Sequence, residues 1–428
     1  MILLLAAALV AQAGATAPPA PPAATASRES PGLSPEQLAR IQAALQQQKL
    51  DGWLLYDFRG SDPIAYRTLG LDSRGIRSRR WYCFLPARGQ PQKLLHAIEP
   101  HALDGVPGPM AFYASWRVRD RELGRILRGS RRVAMQYSPR NEIPTVSRVD
   151  AGTVELVRAM VPEVVSSADL VAQIASVLSS EELASQAVAA ELLAQAQQAT
   201  AEEAARRVRA GNPATELELH AFAQQRMTEQ GLMEAGAIVA VDAHSADPHS
   251  QAQDGVAGKN SLLLLDFTGR AGAGAHAIQA DLTRVYFLGE RVPDEIQRVA
   301  AVVFQARDAA IDLLRQRWTS GKPVTGAEVD RAARDVIERA GFGEQFLHRT
   351  GHSIDTRVHG DGVNNDDFET RDGRRHLAGT CSSVEPGIYL ANRFGVRSEV
   401  DVCLLEGGKL EVRGGEPQRT VPAVLPAQ

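Results

Sequence analysis

Cysteine is scarce in this sequence of 428 residues, where only Cys83, Cys381 and Cys403 are present. Three cysteines cannot form a disulfide framework, and their spacing does not match that of a zinc site. We therefore expect all three to be buried as small apolar side chains. Cysteine usage gives no support to an exported, disulfide-rich class of protein.

A strong net charge and a long apolar run are also missing. The net charge of -4 offers no general attraction to nucleic acid or to an anionic membrane surface. The N-terminal apolar run, MILLLAAALV, is about ten residues long and too short to span a bilayer. No Lys or Arg precedes this run, so the positive start that is usual for a signal peptide is absent.

The N-terminus nevertheless has features of an export signal. Small residues follow the apolar run at Ala11, Ala13 and Ala15, as signal-peptidase cleavage requires. We predict a signal peptide over residues 1–15 and a Pro/Ala-rich leader over residues 16–32. The expected location is the periplasm, with no membrane contact after cleavage, and the alternative is the cytoplasm.

The length predicts two or three structural units, at about 150 residues for each. A mixed α/β pattern begins with a helix that Ser34 caps and that is expected to end near Gly52. Two long helices with capping boxes follow, at Ser179 and at Thr215, and they indicate a boundary near residue 175. The predicted domains are residues 33–175 and 176–415, with a tail over 416–428.

One stretch, from Ser261 to Phe287, contains two apolar β-like runs, each next to an aspartate. Asp266 ends the first run, and Asp281 leads into the second. A hairpin closing over the AGAGA segment would bring the two carboxylates to one end of a strand pair, which is a metal-binding geometry. The alternative for either aspartate alone is a turn former or a helix cap.

Further candidate ligands lie downstream. His352 and His359 are flanked by glycines, which places them on loops or strand ends, and Glu385 lies on a short apolar strand that Pro386 and Gly387 stop. The segment FGVRSEVDVCLL predicts one strand with alternating faces. The charged face of that strand holds Arg397, Glu399 and Asp401.

Four carboxylates and one imidazole thus recur beside apolar strands. Charged side chains are costly to bury unless they are paired or bind metal, so the set as a whole indicates a metal site, although each residue alone has a structural alternative. An oxygen-rich set suits Mn²⁺ or Co²⁺ and is less typical of structural Zn²⁺. Two ions sharing one water would lower its pKa and polarise an acyl carbonyl, so the implied chemistry is hydrolysis.

The strings LLLLDF, ADLTRVYF, GHSIDTRVHG, SVEPGIYL and GVRSEVDV resemble, in order, the five ligand motifs of the pita-bread metallopeptidases. This family includes methionine aminopeptidase, Xaa-Pro aminopeptidase and prolidase. The resemblance implies two divalent ions, with manganese favoured over cobalt or zinc. The implied metal ligands are Asp266, Asp281, His352, Glu385 and Glu399.

The resemblance also implies roles beyond metal binding. Glu385 corresponds to the general acid/base for the water's proton, and His359 to a histidine that contacts substrate and shuttles protons. His249, in the string DPHS, is similar to the histidine that faces the scissile bond. His348 and Arg397 match substrate-binding positions of the proline-specific branch. Each of these could instead be an ordinary hydrogen-bonded residue.

The implied fold is α+β, a pita-bread catalytic domain preceded by a smaller α/β creatinase-type domain. Methionine aminopeptidases typically lack such a domain, so the proline-specific branch is favoured. The expected activity is prolidase-like cleavage of Xaa-Pro dipeptides by a homodimer. The alternatives are an Xaa-Pro aminopeptidase acting on longer peptides and a non-catalytic peptide-binding relative.

The sequence departs from the family pattern between the two aspartates. Asp266 and Asp281 are fifteen residues apart, about four more than in the family, and an even insertion at a hairpin tip keeps both on one face. We expect the tip, with His276, to lean over the pocket or towards a dimer partner. Shortening the tip by four residues should leave metal binding intact and alter substrate preference or subunit contact.

Overall fold

The computed structural model describes residues 32–72, 77–274 and 276–425. The predicted signal peptide and nearly all of the predicted leader lie outside the described residues. Within these ranges no helix is long and apolar enough to cross a membrane.

The first structural unit is built on a mixed six-stranded sheet with the order β4-β3-β2-β1-β5-β6. Its strands are β1 (Gly52–Asp57), β2 (Trp81–Pro86), β3 (Gln92–His96), β4 (Met110–Tyr113), β5 (Arg132–Met135) and β6 (Glu163–Ser166). The accompanying helices are α1 (Pro35–Gln47), α2 (Pro63–Thr68), α3 (Trp116–Ile126), α4 (Ala151–Arg158) and α5 (Ala168–Ala175).

Strand β1 is apolar on both faces because the sheet is covered on both sides. Trp53 and Leu55 pack into one core cluster, and Leu54 and Tyr56 pack into another on the opposite face. Ser34 caps α1 as predicted, accepting a 3.1 Å hydrogen bond from the backbone N–H of Gln37. The helix ends at Gln47, earlier than predicted, because the chain adopts a left-handed conformation two residues later.

The second unit starts with two long helices that pack on an antiparallel three-stranded sheet, and a helical pair and smaller sheets follow. Its helices are α6 (Ser180–Arg209), α7 (Glu216–Glu229), α8 (Asp294–Thr319) and α9 (Gly326–Arg339). Its strands are β7 (Leu232–Val241), β8 (Leu262–Ala271), β9 (Gln279–Phe287), β10 (Ser353–Ile354), β11 (Thr380–Val384), β12 (Gly387–Leu390), β13 (Phe394–Arg397), β14 (Val400–Leu404) and β15 (Leu410–Arg413).

Helix α6 supports the strands that carry the two aspartates. Both predicted capping boxes are present, at the start of α6 and of α7. The buried face of α6 is rich in alanine, so its backbone lies close to β8 and β9. The buried amide of Gln197 donates to the carbonyls of Leu265 and Leu282, at 3.0 and 2.6 Å. The helix therefore ties the two strands together immediately beside Asp266 and Asp281.

The predicted single strand over FGVRSEVDVCLL is wrong, since the structure divides it between two sheets. Strand β13 pairs with β12, and β14 pairs with β11 and β15. The break falls at Ser398 and Glu399, whose backbone N–H groups donate to Pro386 and Thr283 rather than to a continuous ladder. These outside acceptors turn the chain and place Glu399 between the sheets.

All three cysteines are buried, as expected, but two of them are paired and are not simple apolar side chains. Cys381 on β11 and Cys403 on β14 are directly opposed in the antiparallel register and form a disulfide. Their 22-residue separation closes a loop that contains Glu385 and Glu399. Cys83 is buried and free, as predicted. The pairing depends on strand register, which the spacing of cysteines does not specify.

Candidate metal centre

The antiparallel pairing of β8 with β9 sets the positions of the two aspartates. Asp266 lies opposite Thr283, and Asp281 lies opposite Thr268, so the two carboxylates are diagonal neighbours on one face. Asp266 is in the middle of β8 and not at its end, because the ladder continues through Arg270 beyond the apolar run. The even tip insertion keeps both side chains on the same face, as predicted.

The tip of this hairpin lies away from the candidate site. The imidazole of His276 is 3.4 Å from the carboxylate of Glu182, at the start of α6. None of the described tip residues lines the cavity beside the metal-ligand candidates. The expectation that the tip leans over the pocket is therefore wrong for its described residues.

His352 joins the two aspartate strands to the downstream carboxylates. Its Nε2 is 3.5 Å from Oδ2 of Asp281 and 3.4 Å from Oε1 of Glu385. The preceding Gly351 is needed for close packing, because a Cβ there would lie 2.0 Å from the carbonyl oxygen of Ser383. The Ser383 hydroxyl accepts from the backbone N–H of His352 at 3.0 Å and donates to Glu385 at 3.1 Å.

Glu399 enters the site from the break between β13 and β14. Ligand atoms of Asp281, His352 and Glu399 all lie within 4.8 Å of one another. Thr283 donates a 2.7 Å hydrogen bond to Oε2 of Glu399, and it accepts one of 3.0 Å from Nε of Arg397. The guanidinium of Arg397 also donates to Oδ2 of Asp266. The five predicted ligands thus converge on one buried place.

Burial and mutual repulsion disturb the protonation of these carboxyl groups. Burial raises the pKa of Asp266, with the Arg397 guanidinium acting against it. Burial and the neighbouring carboxylates raise the pKa values of Asp281 and Glu399 well above the ordinary range. For Glu385, burial acts upwards, but the imidazole of His352 and nearby positive groups hold its pKa below the ordinary value. The four buried carboxyl groups therefore have too little positive charge near them to balance their negative charges.

The donor chemistry fits divalent cations. One oxygen on each of Asp266, Asp281 and Glu399 is buried without a hydrogen-bond partner among the described residues. Buried carboxylate oxygens of this kind are costly unless a cation binds them. Burial lowers the pKa of His352 to about 3, so its imidazole is neutral and is in the form that ligates metal.

A cavity of about 470 Å³ opens beside the carboxylates. All four remaining predicted site residues line it. These residues are His249, His348, His359 and Arg397. The ring of His359 meets that of His352 edge to face, with centroids 4.4 Å apart. Burial lowers the pKa values of His348 and His359, which keeps both imidazoles neutral at neutral pH.

Sequence reasoning missed several residues around this cavity. The Tyr389 hydroxyl lies 2.7 Å from Nε2 of His348 and accepts from Nη1 of Arg397 at 3.2 Å. Arg349 and Glu369 line the cavity and were not predicted. The sequence could have indicated Arg349 as a cavity residue, because it lies between the motif residue His348 and the glycine before His352. Nothing in the sequence indicated Glu369, since no motif includes it.

Asp401 supports the site from behind. The charged-face prediction placed it with Arg397 and Glu399, and its carboxylate indeed lies against the ligand strands. It accepts from the backbone N–H of Asp281 at 3.1 Å and from Nε2 of Gln186 at 2.6 Å. Burial raises its pKa to about 8.

Comparisons with known proteins agree with this geometry. The sequence model of metallopeptidase family M24 matches residues 185–406, a range that contains all five converging residues. The probable dipeptidase PepE of Mycobacterium tuberculosis is 34% identical over 202 residues, 46% of this chain and 49% of that protein. The chain thus spans about half the length of the curated relatives it matches.

Solved structures extend the similarity over both structural units. Dipeptidase PepE from Mycobacterium ulcerans superposes with a TM-score of 0.67 at 24% identity, covering 91% of this chain and 97% of that one. The prolidase from Pyrococcus horikoshii superposes with a TM-score of 0.59 at 20% identity, covering 90% and 99%. The expected fold, a pita-bread domain preceded by a smaller α/β domain, is confirmed.

Proposed function

This chain belongs to metallopeptidase family M24, and from that membership we propose that it is a metal-dependent hydrolase of Xaa-Pro dipeptides. The observation that carries the proposal is the cluster of Asp281, His352 and Glu399, with Glu385 3.4 Å from His352 and Asp266 diagonally opposite Asp281, beside a cavity of about 470 Å³. The names of similar proteins, dipeptidase and prolidase, support the substrate class.

The proposed metal ligands are Asp266, Asp281, His352, Glu385 and Glu399. Oxygen-rich donors with a single imidazole favour manganese, with cobalt and zinc as alternatives. Two bound ions would supply a water of lowered pKa and polarise the scissile carbonyl. Arg397 neutralises part of the charge on Asp266, so the ligand set is held together without full mutual repulsion.

Glu385 is the proposed general base and acid. Its pKa lies below the ordinary value, so at neutral pH it is ionised and able to accept the proton of the attacking water. Its side chain is 14% exposed, towards the cavity, so a substrate can reach it. It then returns the proton to the departing nitrogen.

The histidines are proposed to bind and orient the substrate. A neutral imidazole at His359 can donate a hydrogen bond without adding positive charge near the carboxylates. Both ring nitrogens of His348 are engaged, by the carbonyl of Arg349 and the hydroxyl of Tyr389, so His348 is proposed to contact the substrate through its ring carbons. Tyr389 fixes the ring of His348 through its hydroxyl. His249 lies on the exposed rim of the cavity, where it can contact the chain beside the scissile bond.

Hydrolysis of defined peptides tests this proposal. The manganese-loaded protein is assayed with Ala-Pro, Ala-Pro-Ala and Ala-Ala, with a chelator-treated sample as the control. Release of proline from Ala-Pro, lost on chelation and restored by Mn²⁺, supports the proposal. Cleavage of Ala-Pro-Ala in preference supports the Xaa-Pro aminopeptidase alternative. Cleavage of none of them by protein that contains metal refutes the proposal and favours the peptide-binding alternative.

We also propose that the protein is exported to an oxidising compartment. The Cys381–Cys403 disulfide supports export, because such bonds persist in the periplasm and are rare in a reducing cytosol. Mass spectrometry of alkylated protein from its native cells provides the test. A disulfide in the periplasmic fraction supports the proposal, and fully reduced protein in the cytosolic fraction contradicts it.

A homodimer is the proposed assembly. Strand β4 lies at an edge of the six-stranded sheet in the described part of the chain, and Met110 and Phe112 on it are exposed. Trp116, at the start of α3, adds a further exposed apolar side chain beside that edge. Such an edge favours self-pairing with a second copy. Light scattering should give twice the monomer mass, and Phe112→Lys should reduce it to that of the monomer.

A further inference from the structure

An ion pair joins the first structural unit to the loop of residues 355–362, which carries His359. Arg67, near the end of α2, pairs through Nη2 with the carboxylate of Asp361. Asp361 lies two residues beyond His359, and only 2% of its side chain is exposed. His359 itself lines the cavity beside the candidate metal centre. The ion pair therefore connects the smaller α/β unit to the wall of that cavity.

Helix α2 gives Arg67 a fixed base. Asp62 caps the helix by accepting a 3.0 Å hydrogen bond from the backbone N–H of Ala65. The buried hydroxyl of Tyr66 donates a 2.9 Å hydrogen bond to Asp57, at the end of β1. Arg67 follows Tyr66 directly, so its backbone is anchored to the six-stranded sheet.

The bonds of Asp361 fix the 355–362 loop from several sides. The backbone N–H of Asp361 donates to Oδ2 of Asp355 at 3.2 Å, and its carbonyl accepts from Nη1 of Arg374 at 2.8 Å. The guanidinium of Arg357 lies 2.6 Å from the same carboxylate oxygen that Arg67 contacts. A buried carboxylate is costly without such partners, so the place of Asp361 depends on them.

The ring of His359 depends on the loop for its position. Its imidazole makes no hydrogen bond within the part of the chain that the structure describes, and it meets the ring of His352 at 4.4 Å between centroids. The backbone N–H of the next residue, Gly360, donates a 2.7 Å hydrogen bond to the carbonyl of Ser353. Backbone bonds of the loop thus place this ring, and a shift of the loop would move it.

We propose that Arg67 is a positioning residue for catalysis, which pairs with Asp361 and thereby holds the 355–362 loop so that His359 faces the substrate. The first structural unit would then take part in the reaction of the second. The proposal rests on the proposed peptidase function, in which His359 contacts the substrate. It differs from a purely stabilising ion pair, because its effect on catalysis passes through His359.

A double-mutant cycle between Arg67 and His359 in the manganese-loaded protein tests the proposal. Arg67→Gln should lower kcat/KM for Ala-Pro by about 10-fold, because a misplacement of about 1 Å can cost up to about 100-fold in rate. In a His359→Ala background the same substitution should have almost no further effect. Arg67→Lys keeps the charge and should retain most of the activity. The control Arg125→Gln, which removes a surface ion pair with Glu122 on α3, should match the wild type.

Two results of this cycle would overturn the proposal. One is an unreduced kcat/KM in Arg67→Gln. The other is an equal fold loss in the wild-type and His359→Ala backgrounds, which would show that Arg67 acts on the fold or the metal centre as a whole. If Arg67→Gln does not fold, Arg67→Lys replaces it in the cycle, and its smaller loss should likewise vanish without His359.

A measurement that needs no turnover separates this proposal from the proposed function. In protein labelled with ¹³C-histidine and loaded with diamagnetic Zn²⁺, the NMR resonance of His359 is identified by its absence from His359→Ala. Arg67→Gln should shift this resonance, and Arg125→Gln should leave it in place. If the wild type cleaves no Ala-Pro, the proposed function fails, while a shifted His359 resonance still supports the positioning role of Arg67. An unshifted resonance refutes that role.

Discussion

The Thr283 hydroxyl donates a 2.7 Å hydrogen bond to Glu399, although 116 residues separate the two in the chain. Thr283 lies opposite Asp266 in the β8–β9 ladder and also accepts from Arg397. One small side chain therefore connects a proposed metal ligand, its charge-balancing arginine and the strand of a second ligand. Groups that orient ligands in this way tune metal affinity.

Replacing Thr283 with Val removes both hydrogen bonds and keeps the volume nearly constant. We expect Mn²⁺ affinity or kcat/KM to fall by about 10- to 100-fold, because Glu399 and Arg397 lose their shared partner. Thr283→Ser keeps the hydroxyl and should remain near wild type. Isothermal titration with Mn²⁺ measures the affinity, and equal affinities in the valine and serine variants would contradict the role assigned to the hydroxyl.

Arg397→Met leaves the buried carboxylate of Asp266 without its cationic partner. The metal-free variant should lose about 3–5 kcal/mol of unfolding free energy in urea. Saturating Mn²⁺ should recover part of this loss, since a bound cation replaces the missing positive charge.

Arg393→Met is the matched control for Arg397. Arg393 pairs with Glu295 at the surface, where both side chains are about half exposed. The free energy of unfolding should change by no more than about 1 kcal/mol in this variant. Equal losses in the two variants would show that the Arg397 pair has no special effect on stability.

The pH dependence of the unfolding free energy should reveal the protonation of His376. This imidazole is buried, with Nε2 2.9 Å from Oδ1 of Asn365, and burial lowers its pKa to about 4 from the ordinary 6.5. Above pH 6.5 it is neutral in both the folded and unfolded states. As the pH falls from 6.5 towards 4, the unfolded state binds the proton first, so up to about 3 kcal/mol of stability is lost.

The difference between wild type and His376→Gln isolates this effect, because other titrating groups are common to both proteins. Asp62, for example, acts in the opposite direction, since burial raises its pKa to about 7. Urea unfolding at intervals between pH 4 and 8 supplies the two curves. Parallel curves over this range would show that His376 does not titrate as described.

The Cys381–Cys403 disulfide should stabilise the folded state. Closing a loop across a 22-residue separation contributes about 3 kcal/mol in the chain-entropy description. Dithiothreitol should therefore lower the unfolding free energy of the wild type by about this amount and leave Cys381→Ala/Cys403→Ala unchanged. Equal sensitivity of both proteins to the reductant would contradict the prediction.

Local sequence located the five converging side chains because each lies in a short string with its own structural signal. Gly351 permits the close approach that His352 needs. The prediction that Glu385 lies on a strand stopped by Pro386 and Gly387 is wrong in detail, because β11 ends at Val384 and Gly387 begins β12. The capping boxes at Ser179 and Thr215 similarly located α6 and α7. These signals lie within a few residues of the feature they predict.

Features that depend on distant partners were missed or misplaced. The break at Ser398 arises because neighbouring backbone groups donate to Pro386 and Thr283, which no alternation of side chains reveals. The disulfide depends on the register of β11 with β14.

The most direct test of the central claim is manganese stoichiometry measured together with Ala-Pro hydrolysis, on wild type and Asp281→Asn. A carboxylate oxygen of Asp281 lies within 4.8 Å of ligand atoms of both His352 and Glu399, so loss of this carboxylate should disrupt the metal centre. We expect about two Mn²⁺ ions per wild-type chain, and in the variant a loss of metal with at least about a 100-fold fall in proline release. Undiminished hydrolysis of Ala-Pro by the variant, or by wild type stripped of metal, would contradict it.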